Sequence, residues 1–337
     1  MRPSLAMLAL ALTALVAATA NAATLDEVKA RGELRCGVNT GLAGFAAPDD
    51  KGAWRGIDAD FCRAVAAAIF QDPRKVKFIP LNAKERFTAL QSGEIDLLSR
   101  NTTWTMSRDT SLGLTFTGVM YYDGQGFMVR KSLGLTKVSQ LAGASICVQT
   151  GTTNELNLAD FFTTRHLTYH PVVFERLVEA VSAYNSGRCD AFTTDSSQLI
   201  AERSRMPEPD ESVILPELIS REPLGPAVRQ GDDQWANIVR WTFYVLLNAE
   251  AEGVTQANVE EMTSSPNPAV RRLLGLAGGF GEGIGLSNDW AAWIIKAVGN
   301  YGECFERNLG AGSPLKIPRG LNALWRDGGL QYPLPIR

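Results

Sequence analysis

Strand-like and helix-like runs alternate from Glu33 to Leu98, and the alternation restarts at Ser145. Glu33 to Val38 alternates in the manner of a half-buried strand. Phe61, Val65 and Ile69 then recur at helical spacing behind Asp58, a residue type that caps helices. Val76 to Pro80 reads as a strand. Asn82 can cap a helix carrying Phe87 and Leu90, which Gly93 stops. Ile95 to Leu98 is a third strand. This β-α-β-α-β order implies a parallel sheet and an α/β fold. The later unit repeats the theme. Ser145–Gln149 is a strand, a helix opens at Asn154, Glu175–Ser186 is a second helix and Cys189–Thr193 a second strand. A long helix is expected over Asp233–Ala251, with Trp235, Ile238, Val239, Val245 and Leu246 on a wide apolar face. Beyond it the chain reads as helix and loop, broken by Pro266, Pro268, the Gly278–Gly285 run and Pro314.

The first 22 residues place Arg2 before an apolar run that ends in Ala20-Asn21-Ala22. That is the pattern of a secretory signal with an A-x-A cleavage site. Later stretches fall short of the ~18 apolar residues a membrane helix needs. The net charge of −3 argues against nucleic acid and anionic membrane as partners. Five cysteines in an oxidising compartment leave at least one unpaired, and two bridges among them allow fifteen arrangements. With two histidines, His166 and His170, and no CxxC, a zinc site is not expected, and no cofactor is.

Three polar clusters sit where strands end. The first is Arg100-Asn101-Thr102-Thr103-Trp104 followed by Arg108. Strand ends in open α/β sheets are where ligands bind. Arg108 can hold a carboxylate through a bidentate fork, with Asn101 and Thr103 adding neutral hydrogen bonds. The second is Thr150-Gly151-Thr152-Thr153 at a helix start, where free N–H groups suit an anion. The third is Asp195, which either pairs with an ammonium or caps the helix from Ser196. A ligand that needs both a guanidinium and a carboxylate is an α-amino acid.

With these pieces in view, the chain resembles the periplasmic amino-acid-binding proteins of ABC importers. These belong to the type II solute-binding class, and the narrower likeness is to its general L-amino-acid-binding subgroup. The likeness rests on GIDADFCRAVAAAIF, LLSRNTTWTMSRD, ICVQTGTTNELNLADFF, RCDAFTTDSSQL, QGDDQWANIVRW and NYGECFERNLG. It implies a two-lobed Venus-flytrap α/β fold with two crossover strands and extra C-terminal helices on the first lobe. Residues 1–22 would be the signal peptide, 23–120 and 224–337 lobe 1, and 121–223 lobe 2. It implies Arg108, Asn101, Thr103, Gly151, Thr152 and Thr153 at the ligand carboxylate and Asp195 at the ammonium. Arg100 would favour acidic side chains, and Trp104 would line the pocket. Relatives place an acidic residue and an aromatic where this chain has Asn39 and Leu42; Phe45, Trp54, Trp104 and Tyr122 are candidate substitutes for that aromatic. The likeness further implies bridges Cys36–Cys62 and Cys147–Cys189, with Cys304 free. The implied partners are an L-amino acid, a membrane permease and its ATPase, for a monomeric periplasmic protein.

The rival reading is a periplasmic enzyme of dehydratase type on the same fold, since fold does not fix function. Catalysis would need an acid or base in the cleft beyond the gripping pair. Neither histidine falls in a cluster, and Glu155 and Asp58 read as helix-start residues. A signalling co-receptor that docks on a sensor is the other alternative.

Overall fold

The computed structural model describes residues 23–337, so the leader read at residues 1–22 lies outside the described residues. Two five-stranded sheets organise the chain. The first runs in the order Val76–Leu81, Leu34–Asn39, Leu97–Leu98, Ala227–Arg229, Leu114–Phe116. Its first three strands are parallel, and Ala227–Arg229 opposes both of its neighbours. The second runs His170–Phe174, Ser145–Gln149, Ala191–Asp195, Gln125–Arg130, Ser212–Ile214, with Gln125–Arg130 antiparallel to the strands beside it. Two short strands, Tyr121–Asp123 and Glu222–Leu224, pair antiparallel and carry the chain from one sheet to the other and back. The expected α/β architecture with two crossover strands is borne out.

Helix Ile57–Phe70 is the core of the first half. Eleven of its fourteen residues are buried, and its alanines let neighbours approach closely. Helix Asp233–Ala251 packs against it, as do Trp290–Val298 and Tyr301–Asn308 from the C-terminal segment. Together with the sheet they form one apolar core. Each large side chain buried there contributes about 1.5–3 kcal/mol against exposure. Asp232 starts the long helix by accepting from Trp235 N at 2.9 Å. It also accepts from Thr24 N at 2.8 Å, tying the first helix, Thr24–Arg31, to the fold.

Both bridges are formed. Cys36 and Cys62 join strand to helix with Cα atoms 6.1 Å apart, and Cys147 and Cys189 are 5.7 Å apart. Cys189 lies two residues ahead of its strand, which begins at Ala191, rather than within it. Cys304 is free and buried, its thiol donating to Val298 O at 3.3 Å. Burial pushes that thiol up, so little reactive thiolate forms.

Beside the crossover the outgoing and returning segments of the first half nearly touch. Gly225 N donates to Thr102 O at 2.9 Å, and a Cβ on Gly225 would fall 1.9 Å from Gly118 O. Gly225→Ala must therefore move backbone. We expect it to cost ~2–3 kcal/mol, the upper range for overpacking, read as a lower urea midpoint. An unchanged midpoint would show that the crossover yields freely.

Candidate functional site

The first wall of the site is the chain that leaves strand Leu97–Leu98. Asp58 organises it. The sequence suggested a helix cap, but the helix starts after Gly56 without a side-chain cap. The Asp58 carboxylate instead accepts from Ser99 Oγ at 3.0 Å and Asn101 N at 2.8 Å. Asn101 takes the left-handed backbone that asparagine tolerates, at φ +33°. Its side chain accepts from Asn39 Nδ2 at 3.0 Å and donates to Gln198 Oε1, across on the second half, at 3.4 Å.

Arg108 is buried at 7 % exposure, on the short helix Met106–Ser111. Its Nη1 donates to Thr103 O at 2.8 Å, and its guanidinium lies 5.1 Å from the Phe87 ring centre. The same ring carries a second cation. Arg86, 3 % exposed on helix Glu85–Gln91, sits 4.6 Å from the Phe87 centre and donates Nη1 to Thr102 Oγ1 at 3.2 Å. Its Nε is buried without a partner. Burial pulls Arg86 well below the usual guanidinium range, Arg100 and Arg108 pull it further, and Asp195 opposes them. Arg100 is also buried; its Nε donates to Leu81 O at 2.9 Å, and burial lowers it to about 10. Trp104, 36 % exposed, stacks on Phe116 at 5.5 Å.

The second wall comes from the other sheet. Gly151, at φ +75°, makes the turn after Gln149. Thr152 then caps helix Thr153–Thr164, accepting from Glu155 N and donating to Gln149 O at 2.6 Å. Asn154 donates Nδ2 to Asp195 Oδ1 at 2.8 Å. Asp195 stands at the cap position of the next helix but makes no capping bond, so its carboxylate is committed to the site side. Burial raises Asp195 well above the carboxylate range, as do its anionic neighbours Asp123 and Glu222; the Asn154 bond and Arg86 oppose the rise.

The two walls meet. Thr103 Oγ1 and Thr153 Oγ1 are 3.3 Å apart. Arg205 Nη1 reaches Gly41 O at 3.0 Å, and Lys84 Nζ lies 3.9 Å from Glu175. Above the buried groups opens a cleft of about 750 Å³, lined from both halves by Asn39, Thr40, Asn82, Gln149, Arg176 and Arg205 among others. Asn39 and Gln149 join it to the site through their bonds to Asn101 and Thr152. Leu42, Phe45 and Trp54 do not line this cleft. Leu42 and Phe45 are buried, Phe45 packs edge-on against Tyr121, and Trp54 stacks on Phe78.

The sequence reading did not find Arg86 or Glu222. Arg86 follows Glu85 on a short helix, a pattern that ordinarily marks a solvated face, and only the tertiary fold turns it inward.

The titration of Asp58 gives a test of this wall. Burial raises it to about 6, the two hydrogen bonds and Arg100 notwithstanding. A carboxyl raised on folding stabilises fully below its unfolded value near 3.9, and that stability is lost as pH rises to the folded value. Relative to Asp58→Asn, the natural protein should lose ~2–3 kcal/mol of unfolding free energy between pH 4 and pH 7. Urea titrations at the two pH values measure it; a constant difference would mean that Asp58 titrates normally.

Two α/β halves joined by two crossover strands, with a buried guanidinium from one half and a buried carboxylate from the other, are the plan of a solute-binding protein. Residues 34–252 match the family of bacterial extracellular solute-binding proteins, family 3, and the chain belongs to that family. It is 64 % identical over 329 residues to the general L-amino acid-binding periplasmic protein AapJ of Rhizobium johnstonii, covering 97 % of this chain and 96 % of that one. It is 57 % identical to the glutamate/glutamine/aspartate/asparagine-binding protein BztA of Rhodobacter capsulatus, over 97 % of each. A solved structure of an ABC transporter periplasmic binding protein from Brucella ovis, with glutathione bound, superposes with a TM-score of 0.92 at 64 % identity. That match covers 94 % of this chain and all of the other. These are binding proteins, and the enzyme reading is set aside on that ground.

Proposed function

We propose that this chain is the periplasmic substrate-binding component of an ABC amino-acid importer. One observation carries the reading: Arg108 of one wall and Asp195 of the other are buried within electrostatic reach of each other, where Thr103 of the first wall meets Thr153 of the second. Arg108, aided by Asn101, Thr103 and the Gly151-Thr152-Thr153 helix start, takes the α-carboxylate. Asp195 takes the ammonium. Burying both ligand charges is costly unless each is paired, and this set pairs both. Residues 23–120 and 224–337 form one lobe and 121–223 the other, hinged at the crossover strands; the sheet memberships support that division. The closed form then docks as a monomer on a membrane permease driven by an ATPase. The names of the Rhizobium johnstonii and Brucella ovis relatives and the secretory pattern at residues 1–22 support a periplasmic setting.

Protein unfolded and refolded to strip carried-over ligand, then titrated calorimetrically against the twenty L-amino acids and several D-isomers, tests this. Micromolar or tighter binding of several L-forms is expected; no binding of any would overturn it. Binding should also release protons in mildly acidic buffer, because an arriving ammonium favours the ionised form of the raised Asp195 carboxyl. The observed enthalpy will then vary with the ionisation enthalpy of the buffer. Asp195→Asn should abolish that variation; if it persists, the ammonium is held elsewhere.

One further ligand class shares the groups that this set would grip: a γ-glutamyl peptide carries the same ammonium and carboxylate on a longer body. The Brucella ovis relative has glutathione bound. Glutathione in the same titration decides the point: affinity within tenfold of glutamate supports it, and no binding excludes it.

A further inference from the structure

One buried carboxylate at the site has no part in gripping a ligand. Glu222 opens the return crossover strand and is 2 % exposed. Its Oε2 accepts from Thr103 Oγ1 at 2.7 Å and from Thr153 Oγ1 at 2.8 Å. Its Oε1 accepts from Asn157 Nδ2 at 2.7 Å and from Ser220 Oγ at 2.6 Å. The donors come from three places. Thr103 leaves the first sheet, Thr153 and Asn157 ride on a helix of the second half, and Ser220 lies on the returning chain. One oxygen atom thus joins a hydroxyl from each wall of the cleft.

We propose that Glu222 is the latch of closure: its carboxylate draws Thr103 and Thr153 together and is fully satisfied only when the two halves meet. A carboxylate removed from water needs every acceptor site occupied. If the halves part, either Thr103 or the Thr153–Asn157 face moves away from the crossover strand. Water must then enter to replace those donors. Closing exchanges that water for donors already in place, so Glu222 contributes differently to the two states, as any group that shifts the equilibrium must. The latch takes the one hydroxyl proton of Thr103 and of Thr153, so these two residues would meet the ligand carboxylate through their backbone N–H groups, which the latch holds in place. Being common to every closed complex, it sets affinity without reading the ligand side chain.

The ligand arm of the test rests on the amino-acid reading above; the ligand-free arm does not. Glu222→Gln keeps the shape but replaces one acceptor oxygen by a donor. In stopped-flow dissociation, glutamate, glutamine and leucine should all leave the variant faster by a common factor of about ten to a hundred, as for a lost hydrogen bond to a charged group. Asn157→Ala keeps the Glu222 charge and removes one second-half donor; it should give a smaller common factor, and it serves if Glu222→Gln does not fold. Small-angle scattering of the ligand-free proteins should show a larger radius of gyration for both variants than for the natural chain. Factors that differ among the three ligands would overturn the latch, since Glu222 would then be reading side chains. Unchanged dissociation and unchanged scattering would also overturn it, leaving Glu222 a static strut. If the natural protein binds no amino acid, the scattering comparison alone decides.

Discussion

Arg108→Ala should weaken every amino-acid ligand by at least ~100-fold, about 3 kcal/mol, whatever the side chain. The guanidinium is 7 % exposed, held by Thr103 O and by the face of Phe87, so it is fixed before the ligand arrives. A charge-assisted fork to a carboxylate is among the stronger contacts a protein makes. Its loss also leaves the ligand carboxylate buried with hydroxyl and backbone donors alone, which adds to the cost. Arg108→Lys keeps a charge but not the fork, and should recover less than half of the lost binding energy. Calorimetry on both variants, with thermal melts to confirm folding, measures this. Retention of affinity within threefold in Arg108→Ala would move the carboxylate clamp to Arg86, the other guanidinium on the same ring.

What the sequence disclosed was whatever depends on local period. Helix Asp233–Ala251 carries its apolar stripe in its own spacing, and its bounds are those read from the residues. The alternation of strand and helix announced the three parallel strands of each sheet, because each element is amphipathic or fully apolar in itself, but not the antiparallel strands Ala227–Arg229 and Gln125–Arg130 that make both sheets mixed. Asp58 shows where such reasoning stops. Its place at a helix start predicts a bond two or three residues on, yet its partners are Ser99 and Asn101, more than forty residues away. Asp195 shows the same in reverse. The cap was the local reading, and the long-range Asn154 contact displaced it. Glu222 lies in a short Ser-Arg-Glu-Pro segment that carries no periodic signal, and its four donors come from positions between 103 and 220. Polar groups at a cleft are fixed by tertiary partners, and a single sequence does not encode those as a pattern.

Arg86→Met should make the ligand-free protein more stable while removing affinity for acidic side chains. Most substitutions of a buried residue destabilise, so the sign is diagnostic. The guanidinium is buried beside two others, Arg100 and Arg108, with Asp195 the one opposing charge that acts on it, and its Nε has no partner. Replacing a poorly paired buried ion by an apolar side chain of similar length typically stabilises by ~1–4 kcal/mol. The loss at Thr102 is small, because its hydroxyl also donates to Arg100 O at 2.9 Å. A protein retains such a costly cation where function uses it. Arg86 lies close to Arg108 and within electrostatic reach of Asp195, and we propose that it acts on a second ligand carboxylate, such as that of glutamate or aspartate. The variant should therefore lose at least ~10-fold in glutamate affinity relative to leucine, the scale of one charged hydrogen bond. Its urea midpoint should rise. A lower midpoint with an unchanged glutamate-to-leucine ratio would make Arg86 a structural strut, and would return the choice of side chain to Arg100 or to the polar walls of the cleft.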